Sequence, residues 1–334
     1  MIRKEVRDFE PYTVMEGDYS IWLDKNESPF DIPMELKESL FSEIKLMEFN
    51  RYPDIAGGGL KKKLADKLGF AQENIVVGNG SDQLIDCILD LFTGDHIVIH
   101  TPTFGMYSFY AKKRGLNIIK VSLNKKFQLP DINYDLEGAR AIFLCSPNTP
   151  MGSLLRRENI VKYLETGYPI ILDEAYIDFA DTSNLDLVED YPNLIVLRTF
   201  SKAYGLAALR VGYAVGHESV MEQMSKIISP YNVNRISLEI AERMSDEDEL
   251  IEGRIQYIIK ERERIISELS EYAYPSQTNF VLLDLDAYEY LLERGIVVRK
   301  LGGRLAGKIR VTVGTREENT AVINALKEYI SVLH

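Results

Sequence analysis

The sequence is poor in the residue types that would tie it to disulfides, metals or a membrane. Cysteine occurs twice in 334 residues, as Cys87 and Cys145, each inside an apolar run, IDCILDLF and AIFLCSP. Two thiols in such settings read as buried structural residues, not as a disulfide framework or a metal site, and they fit a reducing cytosol. The four histidines show no metal-ligand spacing. No apolar stretch approaches the ~18 residues that a membrane-spanning helix needs. The opening string MIRKEVRDFEPY is charged and lacks the apolar core of a secretion signal, so a soluble cytoplasmic protein is expected. Cations are also in deficit, with 39 Lys and Arg against 51 Asp and Glu, a formal net charge of −12. A surface of that sign repels nucleic-acid backbones, yet leaves room for a small anion held by local arginines.

What the chain does have is core. Hydrophobic residues make up 46% of it, and its length suits one large and one small domain. Short runs rich in Ile and Val recur at residues 74–77, 96–100, 117–122, 141–145, 170–172, 194–198 and 211–215. They do not alternate with polar residues, which is how strands buried on both faces of a mostly parallel sheet read. Helical patterns at 81–92, 107–113 and 157–166 lie between them, so the expected class is α/β: a three-layer large domain around a seven-stranded sheet. The tail differs. Helices are expected at 237–244 and 249–272, then a strand at 279–284, a helix at 287–294 and strands at 296–299 and 308–313. A last helix starts at Thr315, whose capping box with Glu318 marks a helix start. This places a large domain at 36–245 and a smaller α+β domain at 246–334. Residues 1–35 form a segment that packs on the small domain or on a partner subunit.

Polar residues cluster just after four of the apolar runs, and ligands of open α/β sheets bind at the carboxyl ends of strands. Lys202 follows the run LIVLR, in Thr199-Phe-Ser-Lys-Ala. A lysine there is costly unless it is neutralised, paired or used covalently. Asp173 ends YPIILD, where a carboxylate needs a cationic partner; a pyridinium nitrogen would serve. Tyr176, three residues on, offers a hydroxyl. Gly78-Asn-Gly-Ser-Asp-Gln runs from a strand into a helix and can bring backbone N–H groups onto a phosphate. Ser201 and Arg210 complete such a clamp. Lysine, carboxylate and phosphate clamp together point to pyridoxal phosphate (PLP).

At this point the chain resembles a known family over nearly its whole length: the fold-type I PLP aminotransferases, and within them the histidinol-phosphate aminotransferases. The resemblance is carried by LDKNESP, RYPD, GNGSDQ, PTFGMY, SPNTPMG, DEAYIDF, RTFSKAYGLAALRVGY and IRVTVGTREEN, in shared order and spacing. It implies that Lys202 is the Schiff-base lysine, Asp173 the pyridinium partner and Tyr176 the donor to the cofactor's phenolic oxygen. Gly80, Ser81, Asp82, Thr199, Ser201 and Arg210 would meet the cofactor phosphate, and Phe104 would stack on the ring. Tyr52 would reach the cofactor phosphate of a neighbouring subunit in a homodimer. Arg310 would bind the acidic group of the substrate, with Arg299, Tyr12 and Asn26 as further substrate contacts. One departure stands out. The family string Pro-Asn-Asn-Pro-Thr-Gly is here Pro147-Asn148-Thr149-Pro150-Met151-Gly152, so either Thr149 or Asn148 bonds the phenolic oxygen.

The implied reaction is transamination of histidinol phosphate with 2-oxoglutarate, in histidine biosynthesis. Alternatives on the same scaffold are a threonine-phosphate decarboxylase and an aromatic amino acid aminotransferase. LDKNESP, in place of an Asn-Ile-Asn-type string, favours the first reading. A PLP-binding regulator without catalysis would carry an added DNA-binding domain, for which the short acidic N-terminal segment offers no room.

Overall fold

The computed structural model describes residues 2–333 except 8, 10–12, 14 and 56. Its strands, in chain order, are β1 Ile21–Leu23, β2 Ile75–Asn79, β3 His96–Thr101, β4 Asn117–Ser122, β5 Ala139–Cys145, β6 Ile170–Asp173, β7 Leu194–Thr199 and β8 Val211–Gly216, followed by β9 Phe280–Leu283, β10 Ile296–Lys300 and β11 Ile309–Thr312. Seven of them form one sheet in the order β2-β8-β7-β6-β5-β3-β4. All pair in parallel except β8, which runs antiparallel to both its neighbours.

Successive residues of a strand leave opposite faces of the sheet, and here both faces are dry. Val76, Ile97, Ile99, Phe143, Ile171, Ile195 and Leu197 share one apolar cluster with Leu84 and Ile88, Tyr107 and Ala111, and Met221 and Met224. These belong to helices Gly80–Leu91, Met106–Arg114 and Glu218–Ile227. The residues one step along, Val77, Val98, Ile142, Leu144, Ile170, Leu172, Leu194 and Val196, enter a second cluster with Leu60, Leu64, Ile160, Leu238 and Met244. The helices there are Gly58–Leu68, Arg157–Leu164 and Arg235–Met244. That is the three-layer α/β arrangement the uninterrupted Ile/Val runs predict. The helix Glu218–Ile227 lies in a stretch where no element is expected. The other expected elements occur with shifted ends. Several strands run one or two residues past the apolar runs, into Asn79, Thr101, Asp173 and Thr199, because ladder hydrogen bonds continue where hydrophobicity stops.

The second sheet has the order β1-β10-β11-β9. Its strand β1, which the weak periodicity before residue 35 conceals, pairs in parallel with β10, Ile21 opposite Ile296 and Leu23 opposite Val298. Its core gathers Leu23, Phe280, Val281, Val298, Ile309 and Val311 with Ile258 and Ile265 of the helix Asp248–Glu268 and Val322 and Leu326 of Arg316–Leu333. That long helix ends four residues before the expected 272. Cys87 and Cys145 are free and buried. Among the described residues, no helix is long and apolar enough to cross a membrane.

The expected capping box closes the start of the last helix. The Glu318 N–H donates to Thr315 Oγ1 at 3.2 Å, and the Thr315 N–H to Glu318 Oε2 at 2.7 Å. Replacing Thr315 by Ala is expected to lower stability by about 1 kcal/mol, read as a lower midpoint in urea unfolding with an unchanged slope. An unchanged midpoint would show that the cap contributes nothing.

Candidate active site

Six neighbouring strands deliver residues to one edge of the large sheet. Because β8 runs against the others, its amino end lies at the edge where the parallel strands have their carboxyl ends. Arg210, just before β8, therefore meets Ser81 and Asp82 after β2, Thr199–Lys202 at the end of β7, Asp173–Tyr176 after β6, Thr149 after β5 and Phe104 after β3. Fourteen of these and nearby residues, among them Lys25, Glu27, Cys145 and Ala175, line a cavity of about 350 Å³ together with Ala207 and Ala208. A second chamber of about 470 Å³ shares Lys25, Phe104, Thr149, Tyr176 and Lys202 with it and adds Asp24, Asn26, Arg299 and Arg310.

Asp173 is buried on the face of β6 covered by the helix Met106–Arg114. Tyr107 donates its hydroxyl to Asp173 Oδ2 at 2.6 Å, and the Ala175 N–H donates to Oδ1 at 3.1 Å. Burial still pushes the carboxyl up to about 6, against the pull of these two bonds. The sequence marks Tyr107 only as the start of a helix. Its signal was a hydroxyl in an otherwise apolar helix face three residues after Phe104, whose ring it meets edge-on at 5.6 Å.

The Lys202 ammonium donates to the carbonyls of Asn26 at 3.1 Å and Lys25 at 3.3 Å. Burial, then the positive charge of Arg310, pulls its pKa down to about 8; Glu27 opposes and Arg210 adds to the effect. Asn26 is a buried junction in the left-handed region, φ 55°. Its Nδ2 donates to Tyr176 Oη at 2.9 Å, and its N–H donates to Thr312 Oγ1 at 3.0 Å. Its carbonyl also accepts from Asn279 Nδ2 at 3.0 Å. Two residues back, the Asp24 carbonyl accepts from Arg310 Nη2 at 2.6 Å. Arg310 and Thr312, on one face of β11, thus both grip the 24–26 segment.

Backbone crowding shapes the anion end. A Cβ on Gly212 would sit 2.5 Å from the Ser81 nitrogen, and Gly80 takes a φ of 72°, so both positions require glycine. Arg210 Nη2 contacts Asp82 Oδ2 at 3.1 Å, while Asp82 Oδ1 is buried without a hydrogen-bond partner. Burial holds the Asp82 carboxyl above its ordinary range despite Arg210 and Lys202. The Ser201 N–H donates to Thr199 Oγ1 at 3.1 Å. A buried carboxylate, an amine of lowered pKa and an arginine-lined glycine cradle fit a planar cationic ring that bears an aldehyde and a phosphate.

Asn148 lines neither chamber. Its backbone is held in a turn, N–H to the Ser153 carbonyl at 2.8 Å and carbonyl to the Gly152 N–H at 2.7 Å, and its buried Oδ1 has no partner. Thr149 takes the wall position instead, accepting from Arg310 Nη1 at 3.2 Å. Tyr52 is 79% exposed and stacks on Tyr231, with centroids 4.4 Å apart, away from both chambers. Tyr12 lies outside the described residues.

The chain belongs to the aminotransferase class I and II family, whose model matches residues 19–326. Within that class it is similar to histidinol-phosphate aminotransferases. It is 48% identical over 332 residues to that of Pyrococcus furiosus, covering 99% of this chain and 98% of the relative. It is 48% identical over 334 residues to that of Thermococcus kodakarensis, covering 99% of each. The solved histidinol-phosphate aminotransferase of Sinorhizobium meliloti, in complex with pyridoxal-5′-phosphate, superposes with a TM-score of 0.87 at 26% identity. That match covers 100% of this chain and 98% of the other.

A lysine with its pKa lowered to about 8 becomes neutral, and so nucleophilic, well below the ordinary lysine range. Loading of pyridoxal phosphate onto the apoprotein, followed by absorbance, is expected to accelerate as pH rises, with a midpoint near 8. Arg310→Gln removes a neighbouring positive charge and should move that midpoint upward. A midpoint that stays put would remove Arg310 as a cause.

Proposed function

We propose that this chain transaminates L-histidinol phosphate with 2-oxoglutarate, giving imidazole acetol phosphate and glutamate, as a pyridoxal-phosphate enzyme of histidine biosynthesis. The observation that carries this reading is the single cavity in which a lysine amine of lowered pKa shares the sheet edge with a buried carboxylate and an arginine-lined glycine cradle. The activity named for relatives 48% identical over the whole chain supports the choice of substrate.

When bound, pyridoxal phosphate supplies an electron sink for the pair released when the substrate Cα loses its proton. Lys202 would hold the cofactor, and its Nζ, as a free amine, would serve as the base that takes the substrate Cα proton and as the acid that gives it back. An amine near pKa 8 suits both acts. Asp173 keeps the ring nitrogen protonated, which in turn restores the carboxyl to its charged form. Tyr176, oriented by Asn26, donates toward the phenolic oxygen, and Thr149 stands nearby where the family has a second asparagine. The N–H groups after Gly80, with Thr199, Ser201 and Arg210, hold the phosphate, and Phe104 covers the ring. Arg310 takes the phosphate of one substrate and a carboxylate of the other in turn, with Arg299 and Asn26 beside it; Tyr12 is a further substrate contact. The division into residues 1–35, 36–245 and 246–334, and a cytoplasmic location, belong to the same reading. So does a homodimer in which Tyr52, exposed on its own subunit, enters the neighbouring site.

Lys202→Ala is expected to abolish turnover and the yellow absorbance of the lysine-bound cofactor; a fully active variant overturns the assignment. The wild-type holoenzyme, mixed with one amine at a time, should lose that absorbance fastest with histidinol phosphate, and slower or not at all with phenylalanine, tyrosine or threonine phosphate. Carbon dioxide release from threonine phosphate would instead favour the decarboxylase. Mass determination in solution should give a dimer, and a fully active monomer would remove Tyr52 from the site.

A further inference from the structure

Two charged residues that this reaction leaves unused stand one position from two that it needs. Glu174 follows Asp173, and Arg198 precedes Thr199. Alternation along a strand sends Asp173 and Thr199 to one face of the sheet and Glu174 and Arg198 to the other. On that far face Arg198 Nε and Nη2 donate to Glu174 Oε2 at 3.1 and 2.8 Å. The same carboxylate accepts from Ser183 Oγ at 2.9 Å and from the Asn184 N–H at 3.0 Å. Arg198 Nη2 also donates to Ser183 Oγ at 2.8 Å. The Glu174 side chain is fully buried and that of Arg198 nearly so, at 13% exposed. The Glu174 N–H donates to the Leu197 carbonyl at 2.9 Å, the last rung tying β6 to β7.

A buried ion pair gives little net stability over apolar residues of the same shape, because desolvation cancels most of the attraction. What such a pair does supply is fixed geometry, through a planar guanidinium fork on a carboxylate. Its place is informative. It joins the ends of the two strands from which Asp173, Tyr176, Thr199, Ser201 and Lys202 emerge, and it ties both to the 183–184 loop.

We propose that Glu174 and Arg198 are a positioning pair, holding the end of β6 in register with the end of β7 from the far face of the sheet and so setting Asp173 and Tyr176 against Lys202. This rests on the cofactor reading above. A misplacement of about 1 Å at such a site costs up to about 100-fold in rate.

The test compares holoenzymes of Glu174→Gln, Arg198→Met, Arg198→Lys and the double variant Glu174→Leu/Arg198→Met. The readouts are visible circular dichroism of the bound cofactor without substrate, kcat, KM and the thermal midpoint. Both opposite-charge single losses, Glu174→Gln and Arg198→Met, should lower kcat about 10–100-fold, with KM within about twofold. The cofactor's dichroic band should change in both. A field effect would instead act in opposite senses in the two. Arg198→Lys keeps the charge but loses the fork, and should fall between wild type and Arg198→Met. The double variant removes both charges and should recover the thermal midpoint while kcat and the dichroic band stay altered; it decides the matter if a single variant fails to fold. A cofactor-loaded double variant with the wild-type band and kcat overturns the proposal, whatever its thermal midpoint. Failure of the cofactor reading itself shows separately, as no dichroic band in the wild type.

Discussion

Asp173 ends a strand whose other residues are fully buried, and so carries a carboxylate into a place where it is only 3% exposed. The rest of the site is arranged around that cost. Tyr107 contributes a hydroxyl from the adjacent helix, and the Ala175 N–H a second donor, yet the carboxyl stays raised to about 6. One strand away Lys202 meets the same desolvation with the opposite sign, and its pKa falls to about 8. An acid pushed up and an amine pushed down, sharing one cavity, are two groups whose environments a single ligand can repair: a cationic ring nitrogen for the first, a carbonyl carbon for the second.

Topology brings the anion end to the same place. A sheet parallel throughout would put the residue before β8 at the opposite edge. The reversal of β8 brings Arg210 to the helix start at Gly80, and the two glycines at that crossing keep the backbones close enough to form a cradle. The small sheet joins through the 24–26 segment, gripped by Arg310 and Thr312 on one side and bonded to Lys202 and Tyr176 on the other. The Lys202 amine and the Arg310 guanidinium are therefore connected through three residues of backbone. The Glu174–Arg198 pair acts on the reverse of the sheet, where it can hold the strand ends without entering the cavity.

Much of this was legible in the sequence, for a physical reason. Strands buried on both faces must be apolar throughout, so the Ile/Val runs announce the central sheet. A polar residue that breaks such a run needs a partner, so Asp173 and Lys202 announce a site. Strand ends were less legible, because Asn79, Asp173 and Thr199 lie inside the hydrogen-bonded ladder while reading as loop. β1 was hidden because three residues give no measurable periodicity. Tyr107 was hidden because a tyrosine in an apolar helix reads as core until its hydroxyl is seen to reach Asp173.

The sequence by itself determined the layer architecture, the strand-end location of the site and its principal groups, since burial and desolvation act on each residue according to its type and neighbours along the chain. Only the tertiary structure decided which partner each group takes. The antiparallel turn of β8 that delivers Arg210, the choice of Thr149 over Asn148 at the cavity wall, the hold of Asn26 on Lys202 and Tyr176, and the pairing of Glu174 with Arg198 are all contacts between segments distant in the chain or fixed by local turn geometry. Residue type limits such pairings without selecting among them; packing selects.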